Sequence, residues 1–133
     1  MKRESWLPAT PESAPIARAI VRDAARECGL DREATWDIEL ATGEAIANAI
    51  VHGSACDDED QGIRVRVEQC DEGLCVEVCD CGEFNAQLPP APADATHGRG
   101  IPIIAAVVDH FELVPDACRT RVRFGKRREL AAV

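Results

Sequence analysis

The stretch Glu44-Ala-Ile-Ala-Asn48-Ala-Ile-Val-His52-Gly53 constrains the fold of this chain more than any other. Steps of four residues keep side chains on one face of a helix. Glu44, Asn48 and His52 therefore form a polar stripe along an otherwise Ala/Ile-rich helix. A carboxylate and a carboxamide set among apolar neighbours cost free energy unless they have partners. Two later features supply candidates: Asp80-Cys81-Gly82 follows an apolar alternating strand, and His97-Gly98-Arg99-Gly100 opens an apolar helix. His52, beside Gly53, reads as a helix C-terminal residue interacting with the last carbonyls.

The surrounding elements follow from local chemistry. Thr10-Pro11-Glu12-Ser13 offers a capping hydroxyl and an early proline, which predicts a helix running to about Cys28 and stopped by Gly29. Asp31 caps a second, longer helix that ends at His52-Gly53. Ile63, Val65 and Val67 alternate with Arg64, Arg66 and Glu68, the pattern of a half-buried strand. Asp71-Glu72-Gly73 is a turn, and Leu74, Val76 and Val78 return as the second strand of a hairpin.

The run Leu88-Pro89-Pro90-Ala91-Pro92-Ala93-Asp94 can be neither helix interior nor central strand. Residues 85–97 are thus expected to be a loop, of a length that often serves as a functional lid. A third helix is predicted from Gly100 to roughly His110. A second hairpin follows, from Phe111–Val114 and Thr120–Phe124 around Pro115-Asp116. With a short first strand near Trp6-Leu7, this order predicts an α+β fold: three helices on one face of a mainly antiparallel sheet.

A chain of 133 residues is expected to form a single domain over 1–133. Its net charge of −9 argues against a direct nucleic-acid surface, because phosphate contacts need clustered Lys and Arg. Lys126-Arg127-Arg128 is expected to be a solvated tail, and Asp57-Asp58-Glu59-Asp60 an exposed loop. No apolar run is long enough to span a membrane, and the N-terminus lacks the apolar stretch of a signal peptide. A cytoplasmic location is expected.

The seven cysteines show no C-x-x-C pair and no zinc-ribbon spacing, which in such a compartment predicts reduced thiols. Cys75, Glu77, Cys79 and Cys81 share one face of their strand, opposite Leu74, Val76 and Val78. Small buried or interface hydrophobes is the preferred reading of those cysteines, ahead of a metal or redox role.

The polar motifs together point to a magnesium–nucleotide site. Mg²⁺ takes oxygen ligands, few of them from protein, and the Asn48 carbonyl can ligate without adding charge. Glu44, one turn earlier, would accept a proton from an attacking hydroxyl or orient it, a role worth roughly 10²–10⁴ in rate. Asp80 can accept a hydrogen bond from an exocyclic adenine amine, while Gly82 lets backbone approach the base. Gly98-Arg99-Gly100 combines free backbone N–H groups with a guanidinium at a helix N-terminus, which favours phosphate.

Taken singly, these motifs also fit a solvated helix edge, a strand-end turn and a loop-to-helix junction. Their joint occurrence in this order favours the site. The G-x-x-x-x-G-K-[ST] pattern is absent, so a nucleotide site here is not a P-loop.

From Leu7-Pro8-Ala9-Thr10-Pro11-Glu12 to about Phe124, the chain resembles the bacterial anti-sigma factors that are also serine protein kinases. They carry the two-layer GHKL (Bergerat) ATP-binding fold shared with histidine kinase catalytic domains and gyrase B. The Glu44–Gly53 stretch is similar to the family's N box. Asp80-Cys81-Gly82 resembles its first glycine box, and Gly98-Arg99-Gly100-Ile101-Pro102-Ile103-Ile104 its second. Thr120 resembles the family threonine near adenine.

The resemblance implies a protein that binds Mg-ATP, often as a homodimer, and sequesters a sigma factor. It also implies phosphorylation of a serine on an anti-anti-sigma partner of the STAS fold. It makes Glu44 the catalytic base, Asn48 the Mg²⁺ ligand, Asp80 the adenine reader and residues 85–97 the ATP lid. Phe84 stands where the second glycine of the first box is usual, and Arg119 where glycine usually precedes the threonine. Those departures keep open a second reading, a binding module with the same fold that captures its partner without phosphorylating it. A detached histidine kinase domain fits less well, because no phosphoacceptor-bearing hairpin is present. A cysteine-based redox or zinc sensor ranks last.

Overall fold

Alternating side chains divide the sheet into a dry face and a wet one. Ile63, Val65 and Val67, then Leu74, Val76 and Val78, then Val122 and Phe124 are buried on one side, where they meet the helices. The computed structural model describes residues 1–53, 62–80, 100–116 and 119–128. Their order is β1 (Lys2–Pro8), α1 (Ser13–Glu27), α2 (Arg32–Gly53), β2 (Gly62–Cys70), β3 (Gly73–Asp80), α3 (Gly100–Val107), β4 (His110–Asp116) and β5 (Arg119–Arg127).

The five strands lie in the order β1-β2-β3-β5-β4, and every neighbouring pair is antiparallel. β3 is central, and α2 packs against β3, β5, α1 and α3. The α+β architecture with its antiparallel sheet is as expected. None of the described helices is long and apolar enough to cross a membrane.

The helix boundaries have local causes. Glu12 occupies the N-cap of α1 but makes no side-chain cap, so the expected capping hydroxyl is absent. The turn is held differently: Ser13 N–H donates to the Thr10 carbonyl at 3.0 Å, and the Ser13 hydroxyl donates to the Pro8 carbonyl.

At the far end of α1, Gly29 takes φ 79°, and its N–H donates to the Arg26 carbonyl while Leu30 N–H reaches back to Ala25. This is a Schellman closure, which needs a residue tolerant of the left-handed region and buries the apolar residue that follows. Leu30 is buried accordingly. Asp31 caps α2 as predicted, its Oδ1 accepting the Ala34 N–H at 2.7 Å.

Small residues let the two long helices approach closely. Ala17, Val21, Ala24 and Ala25 of α1 meet the buried Ala34, Ile38, Ala41, Ala45, Ile46 and Ala49 of α2. This face turns cleanly inward, which leaves Glu44 and Asn48 on its margin, both half-buried.

Three expectations about the elements' extents are corrected. β1 runs the whole of Lys2–Pro8 because it pairs with β2 from end to end, rather than being a short strand near Trp6. α3 stops at Val107, and His110 begins β4. Pro115 and Asp116 lie in β4, opposite Thr120 and Arg119, rather than in its turn. Proline is tolerated there because β4 is an edge strand and needs no outward N–H donor.

Lys126-Arg127-Arg128 is not a solvated tail. Lys126 bridges to Asp37 at 2.9 Å and donates to the Val107 carbonyl, and Arg128 reaches the carbonyls of Cys28 and Asp71. These basic side chains tie β5 to all three helices or to the turns at their ends.

Candidate nucleotide site

The residues singled out by their chemistry fall on four elements. Glu44 and Asn48 sit one turn apart on α2, Asp80 ends β3, and Gly100 is the first residue of α3. Thr120 lies on β5 directly opposite Asp80. Gly82, Gly98, Arg99, Phe84 and the expected lid at 85–97 lie outside the described residues, as do the side chains of Thr120 and His52. The site is therefore described by its helical stripe, its strand end and the start of its third helix.

Asp80 is 7% exposed. A carboxylate at that depth is costly unless its oxygens are engaged, so a strand end is a demanding place to keep one. Beside it, Cys79 Sγ lies 3.8 Å from the Asp80 carbonyl.

The Nδ2 atom of Asn48 is buried and has no hydrogen-bond partner among the described residues. A buried amide end without a partner is uncommon in folded proteins. Rotation by 180° exchanges the carbonyl for the amine at that position, and a carbonyl there would be a neutral oxygen ligand. The donor chemistry of Asn48 thus fits a divalent cation such as Mg²⁺. Thr42, also on α2, satisfies itself by donating to the Ile38 carbonyl at 2.7 Å, and Glu39 Oε1, also buried without a hydrogen bond among the described residues, has the Arg22 guanidinium at 3.5 Å.

On the opposite face of the sheet lies a cluster that alternation alone did not reveal. Glu77, 5% exposed, accepts from Arg64 at 2.8 Å and from Arg123 Nε at 2.7 Å. Burial pushes its carboxyl up, but the hydrogen bonds and charges of Arg123 and Arg64 outweigh burial and hold it below the usual range. The signal was present in the strand pattern, since arginines alternate at 64 and 66 in β2 and at 119, 121 and 123 in β5. The pairing register needed to bring them onto Glu77 was not.

Comparison with known proteins agrees with this architecture. The sequence profile of the family described as "Histidine kinase-like ATPase domain" matches residues 7–126. Two curated relatives, both named "Anti-sigma F factor", come from Clostridium botulinum strains Eklund 17B and Alaska E43. Each is 28% identical over 100 residues, covering 68% of this chain and 69% of the relative.

A crystal structure of the RsbU and RsbW domains of a Mycobacterium tuberculosis protein superposes with a TM-score of 0.74 at 25% identity. It covers 96% of this chain, which in turn spans only 32% of that one. The five-stranded antiparallel sheet and three helices match the GHKL-like fold expected from the N box and glycine boxes.

Proposed function

Because the chain belongs to the histidine kinase-like ATPase domain family, we propose that it is an anti-sigma factor acting as an ATP-dependent protein serine kinase. In this reading it sequesters a sigma factor and phosphorylates a serine of a STAS-domain anti-anti-sigma partner. It works in the cytoplasm, as a homodimer. The observation that carries the nucleotide part is Asp80, a buried carboxylate at the end of the central strand, facing Thr120 across the ladder. The anti-sigma part rests on the C. botulinum relatives and the RsbW domain.

Each residue has a defined task. Asp80 accepts the exocyclic amine of adenine, a contact that discriminates adenine from guanine because guanine presents an acceptor there. Gly82 keeps that approach open, and Thr120 borders the base from β5. Gly98, Arg99 and Gly100 offer backbone N–H groups and a guanidinium to the phosphates at the start of α3. Asn48 would hold Mg²⁺ through its side-chain carbonyl. When bound, Mg²⁺ supplies charge neutralisation at the phosphates.

Glu44, half-buried one turn before Asn48, orients the substrate serine hydroxyl and takes its proton. A carboxylate is a weak base, so its value lies in position more than in basicity.

The test is transfer of the terminal phosphate from ATP to a serine of the STAS-domain proteins of the source organism, assayed one by one. Transfer by the wild type, reduced about 100-fold or more in Glu44→Gln with ATP affinity unchanged, is expected of a positioned base. ATP binding with no transfer to any of them would instead support the non-catalytic binding module that Phe84 and Arg119 keep open.

A further inference from the structure

Two cysteines and a histidine meet on the sheet face that carries none of the described helices. Cys70 ends β2 and Cys75 lies on β3, on either side of the turn at Asp71-Glu72. In the ladder Cys70 pairs with Gly73 and Cys75 with Glu68, so the two thiols are diagonal neighbours on one face. Their sulfurs are 3.0 Å apart, and both residues are half-buried. His110 Nε2 lies 3.9 Å from Cys75 Sγ.

The histidine comes from β4, two strands away from β3, and Gly125 is what lets it arrive. Gly125 on β5 is directly opposite both Cys75 and His110. A Cβ placed on Gly125 would collide with the His110 ring, so the ring lies across a strand that has no side chain there. Cys75 and His110 also line a cleft of about 250 Å³ with Arg66, Glu68, Glu112 and Arg123. None of these residues belongs to the candidate nucleotide site.

We propose that Cys70 and Cys75 form a redox-active pair that closes to an intramolecular disulfide, with His110 accepting the proton of Cys75. The co-reactant is a two-electron oxidant of the disulfide class, for which oxidised glutathione is the probe. Cys70 as thiolate attacks one glutathione sulfur, forms the mixed disulfide and releases one glutathione thiolate. Cys75 then passes its proton to His110 and attacks the Cys70 sulfur, and the second glutathione leaves. Two cysteine thiols are oxidised and one glutathione disulfide is reduced to two thiols, which carry away both protons. Closure needs the sulfurs to move from 3.0 Å to a bond of about 2.05 Å, roughly one ångström.

The surroundings set when this happens. Burial, then the hydrogen bond with Cys70, push the Cys75 thiol up to about 12. Cys75 therefore stays protonated at neutral pH, and closure depends on a base held beside it. Cys28 is a useful contrast: burial raises it too, and it is 1% exposed at the end of α1. Among the described residues no three His, Cys, Asp or Glu side chains are grouped to hold a metal ion.

The full chain is oxidised with glutathione disulfide at neutral pH, quenched by acid, denatured and cut with a glutamyl endopeptidase. Cleavage after Glu72 separates Cys70 from Cys75 unless a bond joins them. The expected result is a linked fragment pair two hydrogens lighter than the two fragments together, which reduction parts into separate fragments. In Cys75→Ser, Cys70 is expected to remain as the stable glutathione adduct. In His110→Asn the linked pair forms about 100-fold more slowly, the low end of what a positioned base contributes. Separate glutathione adducts on both cysteines of the wild type, or bonds to other cysteines instead, would overturn the pair. Closure at the wild-type rate in His110→Asn would overturn the part assigned to the histidine.

Discussion

Asp80 at the end of β3 and Thr120 near the start of β5 are direct partners in the antiparallel ladder. One buried carboxylate and one hydroxyl-bearing position are thereby fixed on adjacent strands by backbone pairing, independently of the residues between them in sequence. In the proposed site this pair reads adenine. Asp80→Asn replaces half of the acceptor with a donor and removes the charge. It should weaken ATP binding by roughly 10- to 100-fold, the worth of a hydrogen bond to a charged group. Circular dichroism should show the fold intact. Unchanged ATP affinity in the folded variant would remove Asp80 from the adenine contact.

Asn48 offers a test that separates ligation from packing. Its Nδ2 has no hydrogen bond to lose among the described residues, so Asn48→Ala should change stability by less than about 1 kcal/mol. The variant should bind ATP much more weakly than the wild type in Mg²⁺ and nearly as well in chelator. Equal losses under both conditions would count against a ligand role.

Glu77 makes stability depend on acid. Its carboxyl is held below the usual range by Arg123 and Arg64 despite burial, so its folded pKa lies under its unfolded value of about 4.3. Its contribution is complete above that unfolded value and is lost as pH falls through the folded one. Arg123 is half exposed, which screens part of the attraction. Glu77→Gln should cost about 2 kcal/mol at pH 7, with Arg64 left largely buried beside a neutral amide. Urea unfolding at pH 7 and pH 3 should show the two proteins converging in acid. A constant gap between them would place the pH dependence elsewhere.

Gly29 tests the joint between the long helices. At φ 79°, Gly29→Ala strains the backbone and should lower stability by about 1 kcal/mol. The denaturation midpoint should fall with the slope unchanged, since the surface exposed on unfolding is the same. An unaffected midpoint would mean that the turn relaxes into another closure.

The features that could be read from the sequence are those set within a few residues. The Gly29 stop, the Asp31 cap and the alternation of β2 and β3 depend on local chemistry, and each appears where the residues placed it. Non-local pairing is what sequence spacing does not carry. The insertion of β5 between β3 and β4 puts Arg123 on Glu77 and Gly125 under His110, and nothing in either segment alone announces it.

Lys126 looked like part of a basic tail because its partner Asp37 is far away in sequence. Pro115 looked like a turn because proline marks turns more often than edge strands, and only the sheet order shows that β4 is an edge. In the candidate site, the stripe of Glu44 and Asn48 was legible from helical periodicity. The facing of Asp80 and Thr120 was not legible from their spacing.

Calorimetric titration of the purified chain with ATP, with and without Mg²⁺, tests the central claim most directly. The account predicts one-site binding with a micromolar dissociation constant that is markedly weaker when Mg²⁺ is chelated. Heats no larger than dilution under both conditions would contradict it, leaving a domain that keeps the ATPase fold without its nucleotide.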